Sequence, residues 1–181
     1  MTWVLRRLAS RVVVLDPEDR VFLIRNGDPA DPAKRPWWEI PGGGMDPGES
    51  SAETALRELW EEAGITRAEV GPVVWVQHVE FSFGGIDFDQ DEVIHVARTD
   101  QTEIRRPNGL EYLEALAYKG ARWWTLQEVL DSDEAFLPPR LPELLPDLVV
   151  GRFPDPPLDI SPGPTSPQRG VAAQDGDDRH P

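Results

Sequence analysis

A layered α/β fold around a mixed β-sheet is the architecture this sequence predicts, on three observations. Stretches rich in β-branched and aromatic residues stand on both sides of one strongly marked helix. A second helical pattern closes the segment near residue 150. An apolar content of 39% in 181 residues suits one sizeable core and hardly two.

The elements follow in chain order. "RVVVL" (11–15) and "VFLIR" (21–25) flank the turn-forming "DPEDR", which predicts a hairpin or two adjacent strands, and "NGDPADPAKRP" (26–36) is a loop. Ser50 followed three residues later by Glu53 is a capping box, and Gly64 stands where a left-handed C-terminal cap belongs, so a helix is predicted from Ser51 to Ala63. At roughly 100° per residue, Ala52, Leu56, Leu59, Trp60 and Ala63 share one face, the stripe expected to pack on the sheet. "PVVWVQHVEFSF" and "DEVIHVART" around Gly84–Gly85 predict a strand pair. "ARWWTLQEVL" reads as a strand running into a short helix near Thr125, and the last helix is expected from Leu141 to Val150. From Gly151 the chain holds seven of its 19 prolines and little apolar periodicity, so residues 1–150 are read as the domain and 151–181 as a Pro-rich, acidic, disordered tail.

Composition excludes several function classes. A net charge of −15 opposes nucleic-acid polymers and anionic membranes, so neither is expected as a partner. A small phosphorylated ligand remains compatible, because a bound divalent cation reverses the local field. The absence of cysteine removes disulfides, thiolate zinc sites and cysteine nucleophiles, and a cytoplasmic location is expected on that ground. The apolar run behind the N-terminal arginines is only Val12 to Leu15, with no small-residue cleavage site after it. No stretch approaches the roughly 18 apolar residues of a membrane helix, so a soluble protein is expected.

The predicted helix carries an unusual charge pattern. Its remaining arc holds Arg57, Glu58, Glu61 and Glu62, and between Glu49 and Glu62 the chain places five glutamates against one arginine. Like charges three or four apart cost a helix about 0.2–0.5 kcal/mol per pair, so helix stability gives no reason for them. Three convergent carboxylates do suit a hard cation, Mg²⁺ or Mn²⁺, with phosphate oxygens completing its coordination. A solvated acidic face is the alternative for an isolated "REXXEE". Here the context includes "IPGGGMDPGE", whose Gly42, Gly43, Gly44 and Gly48 let backbone turn sharply and approach a ligand closely. Glu49 stands before the helix, within reach of Arg57, so that the guanidinium can orient Glu58.

These residues match the pattern GX5EX7REUXEEXGU, with U a bulky aliphatic residue, at Gly43, Glu49, Arg57, Glu58, Leu59, Glu61, Glu62, Gly64 and Ile65. A chance match is on the order of 10⁻⁹ per starting point. On these residues the chain resembles the Nudix hydrolase family, and "WWEIPGGG" and "RWWTLQEV" in the flanks resemble it too. The resemblance implies an α/β/α sandwich and hydrolysis of the pyrophosphate linkage of a nucleoside diphosphate joined to another moiety: a nucleotide, a dinucleoside polyphosphate or a nucleotide-sugar. It implies Glu58 and Glu62 as main metal ligands, Glu61 as a further ligand or a base, and Glu49 and Arg57 as an orienting pair. Gly43 and Gly44 resemble the loop glycines beside the cofactor. The resemblance leaves two places for the base, this helix or a separate loop, and on the loop Glu92, Glu111 and Glu114 are candidates, each weighed against an ordinary surface carboxylate. Homodimers are common in the family, so a homodimer is a possible partner state. The alternative reading is a non-catalytic module of the same fold that senses a ligand or binds a partner.

Substrate markers are weak. The tryptophan- and proline-rich stretch of the NADH-cleaving group is absent. Where many ADP-ribose hydrolases have a proline and several dinucleoside polyphosphate hydrolases a tyrosine, this chain reads "VEFSF". Trp37, Trp38 and Trp75 are candidates for base stacking, with core packing the stronger expectation and Trp75 expected inward or against a neighbouring element. Arg25 and Lys34 are candidate phosphate contacts weighed against surface cations. His78 and His95 are expected to be structural.

Overall fold

The computed structural model of the chain describes residues 4–163, and a long first strand organises it. β1 (Val4–Leu15) lies parallel to β6 (Ile86–Arg98) over its whole length, from Val4 beside Asp87 to Leu15 beside Arg98. β2 (Val21–Asn26) turns back against β1 at Leu15 and Val21, as the sequence predicts. The sheet order is β8-β3-β2-β1-β6-β5-β9, with β3 Trp37–Glu39, β5 Glu69–Phe83, β8 Ala135–Leu137 and β9 Leu158–Asp159. β4 (Gly42–Gly44) joins β1, and β7 (Tyr118–Trp124) joins β2. Parallel pairs β1–β6, β3–β8 and β5–β9 among antiparallel ones make the sheet mixed.

The period of two in β1 divides the core. Val12 and Val14 face α1 (Ser51–Ala63), with Phe22, Ile24, Ala55, Leu59, Ala63 and Trp123. Val13 and Leu15 point the other way, into a cluster with Trp75, Trp124 and the apolar faces of α3 (Leu126–Asp131) and α4 (Leu141–Val149). Helices on both sides of the mixed sheet complete the layered α/β fold that the sequence predicts, in the α/β/α order that the resemblance implies. Trp75 is fully buried in this cluster and Trp38 packs edge-on against Trp124, so Trp38 and Trp75 belong to the core rather than to an open stacking surface.

α1 has the predicted ends. The Ser50 hydroxyl accepts from the Glu53 N–H, Glu53 returns the bond to Ser50, and Gly64 adopts the left-handed conformation at φ 66°. The predicted buried face needs correction. Leu56 and Trp60 are 40% and 46% exposed, while Ala55, Leu59 and Ala63 form the inward stripe with Thr54, Glu58 and Glu62 beside it. The helix is rolled so that two of its glutamates face inward, where hydrophobicity alone would have placed Trp60.

Residues 151–163 also differ from the expectation of disorder. β9 pairs with Trp75 and Val76, the Ile160 N–H donates to the Val76 carbonyl, and Ile160 is buried in the α3/α4 cluster. The buried Ile160, the open edge of β5, the Ser161 hydroxyl that accepts from the His78 N–H and the Arg152–Asp147 pair all contribute to holding this proline-rich segment. The rest of the expected tail, 164–181, lies outside the described residues. The sequence reading also passed over β3, β4, β8 and α2 (Tyr112–Ala117), which are short and take their definition from partners rather than from periodicity. Among the described residues no helix is long and apolar enough to cross a membrane.

Candidate active site

The site is built where α1 crosses β4. Gly42, Gly43 and Gly44 lie beside Arg11, Ser10 and Ala9 of β1, and the Ser10 hydroxyl donates to the Ser51 carbonyl, tying the start of the helix to the same strand. Gly42 has φ 145°, and a Cβ there would meet the Ser10 carbonyl and the Arg11 backbone at 2.5 Å, so only glycine fits. A Cβ on Gly43 would stand 2.4 Å from Glu58 Oε1. The glycine strand therefore lets a carboxylate lie against bare backbone.

Arg57 is the organising cation. Its Nε and Nη2 form a fork on the two Glu49 oxygens at 2.9 and 3.1 Å, Nη2 also donates to the Gly44 carbonyl at 2.8 Å, and Nη1 donates to Glu58 at 2.9 Å and Glu61 at 3.2 Å. Glu49 further accepts from the Thr54 hydroxyl. The Arg57 hydrogen bonds, then that of Thr54, hold the Glu49 carboxyl down to about 2. Arg57 is raised in turn, chiefly by its bonds to Glu49, and stays cationic.

The inner carboxylates are in the opposite condition. Glu58 and Glu62 are only 5% and 7% exposed, and burial pushes Glu58 up to about 7 despite Arg57. Burial, then the Glu58 charge, raises Glu62 well above the usual range, and its one backbone donor is the Gly42 N–H at 2.9 Å. Glu62 has no cationic partner among the described residues and Glu58 has only Arg57, which Glu49 and Glu61 share; the donors are all hard oxygen, a set that fits a divalent cation such as Mg²⁺ or Mn²⁺. With Arg57 Nη1 bound to both Glu58 and Glu61, and Glu62 drawn to Gly42, these three carboxylates do not place oxygens within 4.8 Å of one another as a set. The residues that do so among those described are His78, Glu80 and Asp89, on the open β5–β6 face. There Asp89 pairs with Arg6 at 3.0 Å and His78 with Asp91 at 2.8 Å, so the group is a surface ion cluster.

The three loop candidates separate clearly. Glu92 is buried in β6, where it accepts from Arg11 Nε at 2.8 Å and from the Gln77 and Gln90 amides. Burial raises its pKa, but Arg11 and these donors outweigh burial and hold it low. Its lone pairs are committed. Glu111 is exposed at the start of α2. Glu114, in α2, accepts from the Glu111 N–H, and burial raises its pKa. The segment before α2 docks on the C-terminal part of α1, where the Asn108 N–H donates to the Glu61 carbonyl at 2.8 Å, and the Glu114 charge adds to the upward push on Glu58 and Glu62.

The remaining candidates lie apart from the glutamates. Trp37 donates to Glu39 at 3.0 Å and lies edge-on to Phe83, with the Lys34 ammonium over its ring. Lys34 also pairs with Asp28, and Arg25 lies over Trp38. His95 is buried, its ring nitrogens bound to the Gly71 carbonyl and the Ser51 hydroxyl, a structural role. The sequence reading missed Arg7, Arg11, Gln77 and Gln90. The signal for the arginines was their spacing of four in a strand, which puts both on one face.

Comparison with known proteins places the chain in a family and gives the likeness of its fold. The family described as NUDIX domain matches residues 5–148. A Bacillus subtilis protein provisionally designated an 8-oxo-dGTP diphosphatase is 40% identical over 57 residues, covering 32% of this chain and 34% of that protein. An RNA pyrophosphohydrolase of Cereibacter sphaeroides is 42% identical over 59 residues, covering 33% of this chain and 34% of that protein. The matches thus span about a third of the length of these curated relatives. The crystal structure of an ADP-ribose pyrophosphatase from Streptococcus suis aligns with a TM-score of 0.55 at 16% identity, over 84% of this chain and 97% of that one, a likeness of fold.

Proposed function

The chain belongs to the Nudix family, and from that premise we propose that it is a metal-dependent pyrophosphohydrolase acting on a nucleoside diphosphate joined to another moiety. The observation that carries this reading is the pair of buried carboxylates, Glu58 and Glu62, one helical turn apart against a strand of three glycines. Burying two carboxylates a turn apart with only a shared Arg57 to offset their charge is costly, and a fold selected for stability alone has no use for them.

A divalent cation, Mg²⁺ with Mn²⁺ as the alternative, would supply when bound the positive charge that offsets that of a pyrophosphate and of its leaving phosphate. Glu58 and Glu62 would hold it, and Glu61 would be a further ligand or would take the proton of the attacking water. Arg57, braced by Glu49, fixes Glu58 and Glu61 from the outer side. Gly43 and Gly44 admit these groups to the backbone. Of the separate loop candidates, Glu114 is the one proposed as base, because it faces the cluster while Glu92 is committed to Arg11. The proposed substrate is a small nucleotide rather than a polymer, on the net charge of −15. A cytoplasmic location and a homodimeric state are part of the same proposal.

The test is a screen of nucleoside triphosphates, oxidised nucleotides, dinucleoside polyphosphates, ADP-ribose, nucleotide-sugars and 5′-triphosphorylated RNA, with Mg²⁺, Mn²⁺ or a chelator, scored by product identity. Cation-dependent release of a nucleoside phosphate from a small substrate is expected. Cleavage of RNA alone would overturn the substrate class, and inactivity throughout would favour a non-catalytic sensing module.

A further inference from the structure

Three arginines surround the glycine strand, and two of them are neutralised. Arg57 is bound to Glu49, Glu58 and Glu61, and Arg11 is paired with Glu92. Arg7 forms no ion pair among the described residues, in a chain where 33 acidic side chains face 18 basic ones. Its Nε donates to the side-chain oxygen of Gln90, a neutral partner that aims the guanidinium without cancelling its charge. Position 92, two residues on and so on the same face of β6, is a glutamate and serves Arg11. The Arg7 guanidinium lies over the ring of Phe88, 4.8 Å from its centroid, and Phe88 stacks at 5.0 Å on Phe81. On the other side Nη1 would be 3.2 Å from a Cβ on Gly44, so the missing side chain there gives Arg7 its place over the glycine strand. Burial and the nearby Arg11 both disfavour the cation, with Glu58 and Glu114 close enough to offset part of that cost.

A cation that is oriented by a neutral amide, clamped on an aromatic face and placed beside the carboxylate cluster is suited to an anion that arrives from outside. Its fork presents two nitrogens, the geometry that receives two oxygens of one phosphate. We propose that Arg7 binds non-bridging oxygens of the substrate's diphosphate and holds them over Gly44, opposite the cation held by Glu58 and Glu62. This rests on the hydrolase reading above, and makes Arg7 a substrate-binding group that the family pattern around α1 does not include.

The full chain and its Arg7→Gln and Arg7→Lys variants are compared in three measurements: methylenediphosphonate binding by calorimetry with Mg²⁺, Mn²⁺ binding by paramagnetic resonance without it, and steady-state kinetics on the best substrate from the screen. Arg7→Gln is expected to weaken methylenediphosphonate binding by roughly tenfold or more. KM should rise at least as much as kcat falls, with Mn²⁺ affinity and the melting temperature close to the parent. Arg7→Lys keeps the charge without the fork and should fall between. A merely structural arginine would lower the melting temperature and leave diphosphonate affinity per folded molecule unchanged, and that result overturns the proposal. If the parent neither binds the diphosphonate nor cleaves any nucleotide, the hydrolase reading itself fails. If the parent does both and Arg7→Gln matches it, only the role of Arg7 fails.

Discussion

Gly43 lies directly against Glu58, close enough that a methyl group in place of the glycine hydrogen would stand 2.4 Å from the carboxylate oxygen. The contact joins the glycine strand to the helix at the point where charge is buried, and it makes Gly43→Ala a sensitive probe. The alanine must displace Glu58, whose carboxylate is held by Arg57. Mn²⁺ affinity is expected to fall by roughly tenfold or more, with a stability loss of about 1–3 kcal/mol from overpacking. Titration of Mn²⁺ by paramagnetic resonance, beside a urea melt, reads both, and parental metal affinity would remove Gly43 from the site.

Glu58→Gln and Glu62→Gln separate function from stability. Each amide keeps the shape and removes a buried charge, so the metal-free variants should be at least as stable as the parent near neutral pH. Mg²⁺-dependent turnover should drop by about 10² or more in each. Parental kcat in both variants would refute the assignment.

The same two carboxyls make the metal-free protein weaker as pH rises. Glu58 is raised from an ordinary 4.5 to about 7, and Glu62 is shifted in the same direction, so between these values the folded state holds more protons than the unfolded one. The contribution is complete below about 4.5 and is lost as pH climbs through about 7. Glu49, held down to about 2, acts oppositely and in a separate window, losing its contribution only as pH falls from about 4.5 towards 2. Urea unfolding without metal should therefore show a decline on the order of 3 kcal/mol from about pH 5 to pH 8, with Mg²⁺ restoring most of it at the alkaline end. A metal-free stability that is flat or rising across that range contradicts the buried-charge account.

Glu92 and Glu114 should part company on mutation. Glu92→Gln leaves Arg11 short of its counter-charge in the core, and breaking such a pair costs about 3–5 kcal/mol. Turnover per folded molecule should stay within about tenfold of the parent. Glu114→Gln should keep the melting temperature and lower kcat by about 10²–10⁴, the usual range for a lost general base. The reverse pattern would exchange their roles.

Local chemistry made much of this legible from residues alone. Ser50, Glu53 and Gly64 mark both ends of α1 because caps are satisfied within a few residues of chain. The Leu15–Val21 turn and the short helix after Thr125 were legible for the same reason. The roll of α1 was not, because Leu56 and Trp60 are as apolar as Ala55 and Leu59, and the choice between them depends on β1 and β4 having room for Glu58 and Glu62. Nor was the capture of Ile160, which depends on the free edge of β5 beside Val76.

The amino-acid order by itself determined which side chains the helix carries, where it starts and stops, and the family to which its spacing points, since each of these is settled over a handful of neighbouring peptides. Tertiary structure alone decided which charges are cancelled: Arg11 meets Glu92 across 81 positions of sequence, and Arg7 meets a glutamine across 83. The register of β1 against β6 sets both pairings, and a register belongs to two strands at once.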